Sequence, residues 1–256
     1  MAFRAGNKDA KDIFVGSKPV KEVWAGNRLA WARGKNQIIE LTTPGTHEVA
    51  FPAWSTVAYI VLLGGGSAGN PGDGSFGKQG RYGSGGTAKS LVAKKVTDNA
   101  RIKATVGGGG IPDWTESGET KNGSPSSVLI LDPSEVANIT AKGGSGSVAS
   151  VSSRGGQYTP WSLIDGRYYE REGMPLVVDD FGALFPQVSV PCEKGRDRWR
   201  FGQNGDEPGS DGQYSAGGAG GAGGTLGRRE LGGKGGDGVV LISFWSEPPA
   251  GVYNYS

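Results

Sequence analysis

The residues able to do acid–base or covalent chemistry are few. His47 is the sole histidine and Cys192 the sole cysteine, and one of each makes neither a histidine-based catalytic triad nor a metal cluster. His47 stands between Thr46 and Glu48 in a strand-like stretch, where a solvated or structural imidazole is expected. The paired carboxylates of a glycosidase could come from Asp113, Glu116 and Glu119, or from Glu170, Asp179 and Asp180. These acids sit in polar stretches, where carboxylates are usually just solvated. No GxxxxGK[ST] occurs, and no helical pattern follows Gly64-Gly65-Gly66, so the glycine strings do not read as phosphate cradles. The expectation is a chain that is not an enzyme and holds no metal or cofactor.

The remaining chemistry is recognition. Between Gln157 and Phe201, Tyr158, Trp161, Tyr168, Tyr169 and Trp199 alternate with Arg167, Arg171, Arg196, Arg198 and Arg200. Aromatics with arginine are the composition of interface hot spots and of sugar-stacking platforms. Tyr168, Tyr169 and Trp199 stand beside charged residues and are expected to face a partner, with a subunit contact preferred over a cell-wall glycan. Phe181, Leu184, Phe185 and Val188 read instead as the private core of an inserted subdomain spanning about 157–201.

These side chains need a scaffold, and the sequence offers an unusual one. Glycine supplies 48 of 256 residues, about 19% against a globular average of about 7%. The excess gathers in fields at 64–86, 107–123, 143–156 and 202–238. Glycine loses the most backbone entropy on ordering and brings no side chain to pack, so such fields are either disordered or held by main-chain hydrogen bonds between closely packed passes. Seven tryptophans, eight tyrosines and eight phenylalanines do not belong to a disordered chain, and order is expected.

The apolar stretches between the fields read as strands. Val57 to Leu63 runs into Gly64-Gly65-Gly66, and Val239 to Trp245 follows Gly235-Gly236-Asp237-Gly238. Apart from Ser243 both are apolar, as in strands buried on two faces. Gln37 to Leu41, Gly45 to Pro52, Gly86 to Ala93, Ala100 to Val106, Ser127 to Leu131 and Glu135 to Ala141 supply further strands. Alternation in Ala100 to Val106 predicts one wet face. With almost no helical periodicity, the fold class is all-β: a β-sandwich-like domain with glycine-rich loops over 36–256. Residues 1–35 form a smaller unit. Ile13 to Val20 realigns on Val23 to Ala30 ten residues on, each copy reading as strand, Gly-first turn and strand. A small β-meander results, too small to bury Phe14, Trp24 and Trp31 alone, and these three are the candidate docking residues.

Within the last field, Gly217 to Gly224 repeats two glycines and one alanine with period three, the period of an extended helix with three residues per turn. A bundle of such helices is polyglycine II. It is expected here in place of a flexible linker, because a strong strand closes the field. Proline at 14 residues and the lack of a sustained Gly-X-Y repeat exclude collagen. A net charge of +2 gives no polyelectrolyte field, so nucleic acid is not an expected partner. No apolar stretch is long enough to span a membrane, and Met1 to Lys8 lacks a signal-peptide core. Membrane insertion is not expected, and synthesis in a cytoplasm is.

The order of these elements resembles a known family. Gly45 to Pro52, Val57 to Gly66, Gly85-Gly86-Thr87-Ala88, Ile102 to Gly110 and Gly235 to Ile242 together resemble the glycine-rich domain of bacteriophage minor tail proteins. The N-terminal pair of Gly-turn repeats is similar to the head region preceding that domain in siphophages of actinobacteria. The resemblance implies a structural virion component at the tail tip or its fibres, made in the host cytoplasm and contributing to assembly and host attachment. It implies other phage tail proteins as partners and a homo-oligomer, expected to be a trimer. The alternative is a carbohydrate-binding adhesin contacting a host cell-surface glycan.

Overall fold

The computed structural model describes residues 36–73, 80–95, 97–114, 121–132, 135–146, 184–185, 188, 208–223 and 229–247, with the backbone of short strands between Arg4 and Ala32. Among them the fold is all-β, with two four-stranded antiparallel sheets. The strands in chain order are β1 (Arg4–Ala5), β2 (Lys8–Asp9), β3 (Phe14–Val15), β4 (Lys18–Pro19), β5 (Glu22–Ala25), β6 (Arg28–Ala32), β7 (Asn36–Leu41), β8 (Gly45–Ala50), β9 (Val57–Leu63), β10 (Ala88–Lys94), β11 (Arg101–Val106), β12 (Ser126–Leu131), β13 (Glu135–Ala141) and β14 (Val239–Trp245). One sheet has the order β10-β9-β14-β7 and the other β13-β12-β11-β8.

The core between the sheets follows from alternation. On β9 and β14, Ala58, Ile60, Leu62, Val240, Ile242 and Phe244 face Ile102, Ala104, Val106, Val128 and Ile130 of the opposite sheet. Phe51 meets Phe244 edge-on, with ring centroids 5.1 Å apart, the geometry aromatic quadrupoles prefer. The other face of β11 is wet as its alternation predicts. Lys103 lies opposite Glu48 there, and the Thr46 and Thr105 hydroxyls are 3.2 Å apart.

β9 and β14 are buried at every residue, in agreement with sequences that are apolar except at Ser243. They are the two central strands of their sheet, and their second face is covered from far along the chain. Leu184, Phe185 and Val188 pack on Val57, Tyr59, Val61, Val239, Leu241 and Trp245. A polar stitch holds the cover down: Trp245 Nε1 donates to Ser243 Oγ at 2.7 Å, and Ser243 Oγ donates to the Leu184 carbonyl at 2.5 Å. These three residues are therefore not the private core of a subdomain. Their apolar surface packs on the main sheet and helps cover its second face. Phe181 lies outside the described residues.

The N-terminal strands pair as β1-β2, β3-β4 and β5-β6, three separate two-stranded sheets. The sequence predicts two copies joined in one meander. The structure adds a third copy, and among the described residues no strand of one hairpin pairs with the next. β1 to β4 are each two residues long, short arms that offer a neighbouring hairpin little edge to pair with. The register is the same in each: Ala5 pairs with Lys8, Val15 with Lys18 and Ala25 with Arg28. Between the paired ends the sequence is Gly-Asn or Gly-Ser, the residues that a type II′ turn favours.

Candidate functional site

Between and beyond the strands, the glycine fields build a second structure. Among the described residues glycine-rich passes run at 64–72, 80–87, 107–110, 121–124, 142–146, 209–213, 215–223 and 229–238, and they hydrogen-bond to one another through their backbones. The pass at 64–72 is central, and its donors sort by threes. Gly64, Ser67 and Asn70 donate to Thr87, Ser84 and Arg81; Gly65 and Ala68 donate to Ser124 and Lys121; Gly66, Gly69 and Gly72 donate to Gly236, Gly233 and Glu230. Donor numbers rise by three as acceptor numbers fall by three, so these neighbours are antiparallel. Its carbonyls accept from three other passes: Gly65 from Gly144, Gly66 from Gly110, and Ser67 and Asn70 from Gly218 and Gly221, at 2.7–3.0 Å. One pass with six hydrogen-bonded neighbours and a period of three is the polyglycine II arrangement expected from the Gly-Gly-Ala repeat.

The lattice also explains that repeat. A Cβ on Gly217 or Gly220 would lie 1.9 Å from the carbonyl oxygen of Gly83 or Gly80, and one on Gly218 or Gly221 would lie 2.1 or 2.0 Å from that of Gly233 or Glu230. Two of the three directions around this pass are closed by neighbouring backbone. Ala216, Ala219 and Ala222 occupy the third, buried, with room for a methyl. Reciprocally, Gly66, Gly69 and Gly72 of the central pass face the carbonyls of those alanines at 2.0, 1.9 and 2.0 Å from a built Cβ. Residues 217–223 are thus ordered and extended; Gly224 lies outside the described residues.

Side chains tie the lattice to the sandwich at defined points. Ser126 Oγ accepts from the Gly107 amide at 2.9 Å and donates to the Leu63 carbonyl at 2.7 Å. Asp237, the acid of the closing GGDG, accepts from the Gly109 amide at 2.8 Å and from Lys234 Nζ at 3.0 Å. Both groups satisfy backbone donors where strand pairing hands over to the lattice. Their roles were not legible in sequence, because each partner is contributed by a distant pass.

The reversal between 209–213 and 215–223 is strained. The Ala216 amide donates to the Gln213 carbonyl at 3.2 Å, and Tyr214 and Ser215 have φ of 29° and 59°. This resembles a type I′ turn, which favours Asn or Gly. The Ser215 hydroxyl is also buried, with no hydrogen-bond partner among the described residues. Ser215→Gly is expected to stabilise the chain by about 1 kcal/mol, from relief of left-handed strain and loss of an orphan hydroxyl, less the entropy cost of glycine. Urea unfolding checks this, and a destabilised variant would show that the hydroxyl does bind something.

The residues singled out from sequence fare unequally. Tyr158, Trp161, Tyr168, Tyr169 and Trp199 lie outside the described residues, as do Cys192, Glu116, Glu119, Glu170, Asp179 and Asp180. Phe14, Trp24 and Trp31 take hairpin positions opposite Pro19, Leu29 and Val23; their side chains are outside the described residues. His47 Nε2 is 2.9 Å from the Thr43 carbonyl, a local contact that fits a structural imidazole. Asp113 pairs with Lys121 at 3.4 Å.

One arrangement was missed altogether. At the end of the lattice away from the sandwich, Ile111 and Trp114 are 63% and 51% exposed, and the Arg229 guanidinium lies over the Trp114 ring at 5.4 Å. Tryptophan beside glycine fields was a visible signal, but its pairing with an arginine 115 positions along depended on the lattice.

No curated protein matches this chain. A family described as a glycine-rich domain is found at residues 42–163, taking in β8 to β13 and the lattice passes between 64 and 146.

Proposed function

We propose that this chain is a non-catalytic structural component of a bacteriophage tail, at the tip or its fibres. In this reading the N-terminal hairpins dock it to neighbouring tail proteins, and the sandwich with its lattice holds a binding end away from them. The observation that carries it is the lattice itself. A pass bonded to six others through backbone, with no room for a Cβ at most of its contacts, is a stiff body made without a large apolar core. At about 3.1 Å per residue, the pass at 64–72 extends roughly 25 Å beyond the sheet. Such a body suits a spacer better than a catalyst. Assignment to a phage rests on the resemblance of the glycine domain and hairpin repeats to minor tail proteins, and a cyclic trimer belongs to the same proposal.

The test is made on particles of the phage that encodes the chain. The protein is expected in purified virions, in a copy number divisible by three. Removing residues 1–35 should leave a folded remainder that no longer enters particles. Absence of the full chain from virions would overturn the tail assignment, and normal incorporation of the truncated form would overturn docking by the hairpins.

A further inference from the structure

We infer that the far end of the lattice is a saccharide-binding platform centred on Trp114 and Arg229. Among the described residues the large apolar side chains left exposed are Val15, Ile111 and Trp114. Two of the three share one short segment, 111–114, which leaves the lattice after Gly110. The level of this segment along the lattice is fixed by backbone bonds: Gly110 donates to Gly66, Gly72 to Glu230, and Gly223 bridges Arg229. Passes at 64–72, 107–110 and 215–223 all run outward from the sandwich, and those at 80–87, 121–124 and 229–238 return to it. Among the described residues Trp114 and Arg229 therefore lie at the outward end, beside Gly72, Gly223 and Glu230.

The platform is held rigid from below. Asp113, next to Trp114, pairs with Lys121 at 3.4 Å; Lys121 is buried, and its Nζ donates to Asn70 Oδ1 at 3.3 Å in the central pass. An ion pair anchored on a buried lysine fixes the loop, and Arg229 over the indole restricts the ring itself. An exposed tryptophan costs solvation unless something covers it, and fixing it in place removes the entropy that binding would otherwise cost.

The occupant that fits is a sugar ring. Among the described residues the exposed apolar side chains here are one indole and one isoleucine, and a single ring matches the indole in size. An indole matches the C–H face of a single pyranose, and the exposed Arg229 supplies fixed N–H donors for ring hydroxyls or a carboxylate. Asp113 and Glu230, both half-buried beside these residues, provide acceptors. The inference does not rest on the tail assignment, since a saccharide-binding protein outside a virion would show the same platform.

Binding of the full chain to an immobilised panel of hexose, N-acetylhexosamine and uronic acid oligomers tests it. At least one class is expected to bind, with a dissociation constant on the order of a millimolar per site. Trp114→Ala should weaken that binding by at least about tenfold, equivalent to about 1.4 kcal/mol, and Arg229→Ala by a smaller factor, both with the thermal midpoint of the parent. Trp114→Phe, which keeps a ring, should retain part of the binding. No retention of the parent chain on any member of the panel would overturn the inference. So would equal binding by parent, Trp114→Ala and Arg229→Ala, which would place the contact elsewhere on the chain. Loss of binding to a tail protein but not to a saccharide would reassign the patch to assembly.

Discussion

Gly109→Ala is expected to prevent folding, while Gly108→Ala one residue earlier leaves stability nearly unchanged. A Cβ on Gly109 would lie 1.9 Å from the Gly235 carbonyl oxygen and 2.5 Å from its carbon, whereas the nearest atom to a Cβ on Gly108 is Pro44 Cβ at 4.0 Å. Backbone cannot swing aside as a side chain can, so the first substitution must separate two passes that are bonded to others. Gly109 also donates to Asp237, whose carboxylate closes the last field. A cost above about 4 kcal/mol is expected, in the range reserved for overpacking or broken buried networks. Gly220→Val belongs to the same class, with a built Cβ 1.9 Å from the Gly80 carbonyl oxygen and a second branch to place. Thermal melting of the Gly108 and Gly109 variants, side by side, separates close packing from composition. Equal stability in the two would mean that the passes are further apart than described, and the spacer reading would lose its physical basis.

Phe185→Ala is expected to destabilise the chain by about 3–4 kcal/mol, as large-to-small changes at buried aromatic sites do. Phe185 is 1% exposed and shares one cluster with Leu184, Val188 and the second face of β9 and β14. Removing the ring opens a cavity over the central strands and loosens the segment whose Leu184 carbonyl accepts from Ser243. Denaturant unfolding gives the number, and a second outcome distinguishes cover from mere volume: Trp245, which donates to Ser243 and lies in the same cluster, should become more accessible to a fluorescence quencher. A cost under about 1 kcal/mol would show that the sheet face is covered adequately without this segment.

The strands were readable because side-chain patterning alone specifies them. The alternation in 100–106 and the largely apolar stretches at 57–63 and 239–245 correspond to β11, β9 and β14 within a residue at each end. Burial on both faces of β9 and β14 was legible as well, since no polar residue but Ser243 interrupts them, although what covered the second face was not. The period of three in 217–224 likewise announced three chemically different directions around that pass.

Hydrogen bonds between glycine passes were not readable, for a physical reason. Every pass offers the same amides and carbonyls, so nothing in the backbone itself distinguishes a bond from Gly66 to Gly236 from one to any other glycine. Partner choice is decided by which strands the passes leave and enter, and β14 fixes much of it by inserting between β9 and β7. The same holds for side chains brought together by those passes. The sequence by itself determined an all-β chain with strands handing over to glycine and one field of period three. Only the tertiary structure decided the six neighbours of the central pass, the docking of Leu184, Phe185 and Val188 on the sheet, and the meeting of Trp114 with Arg229, because these are set by long-range closure of near-identical backbone.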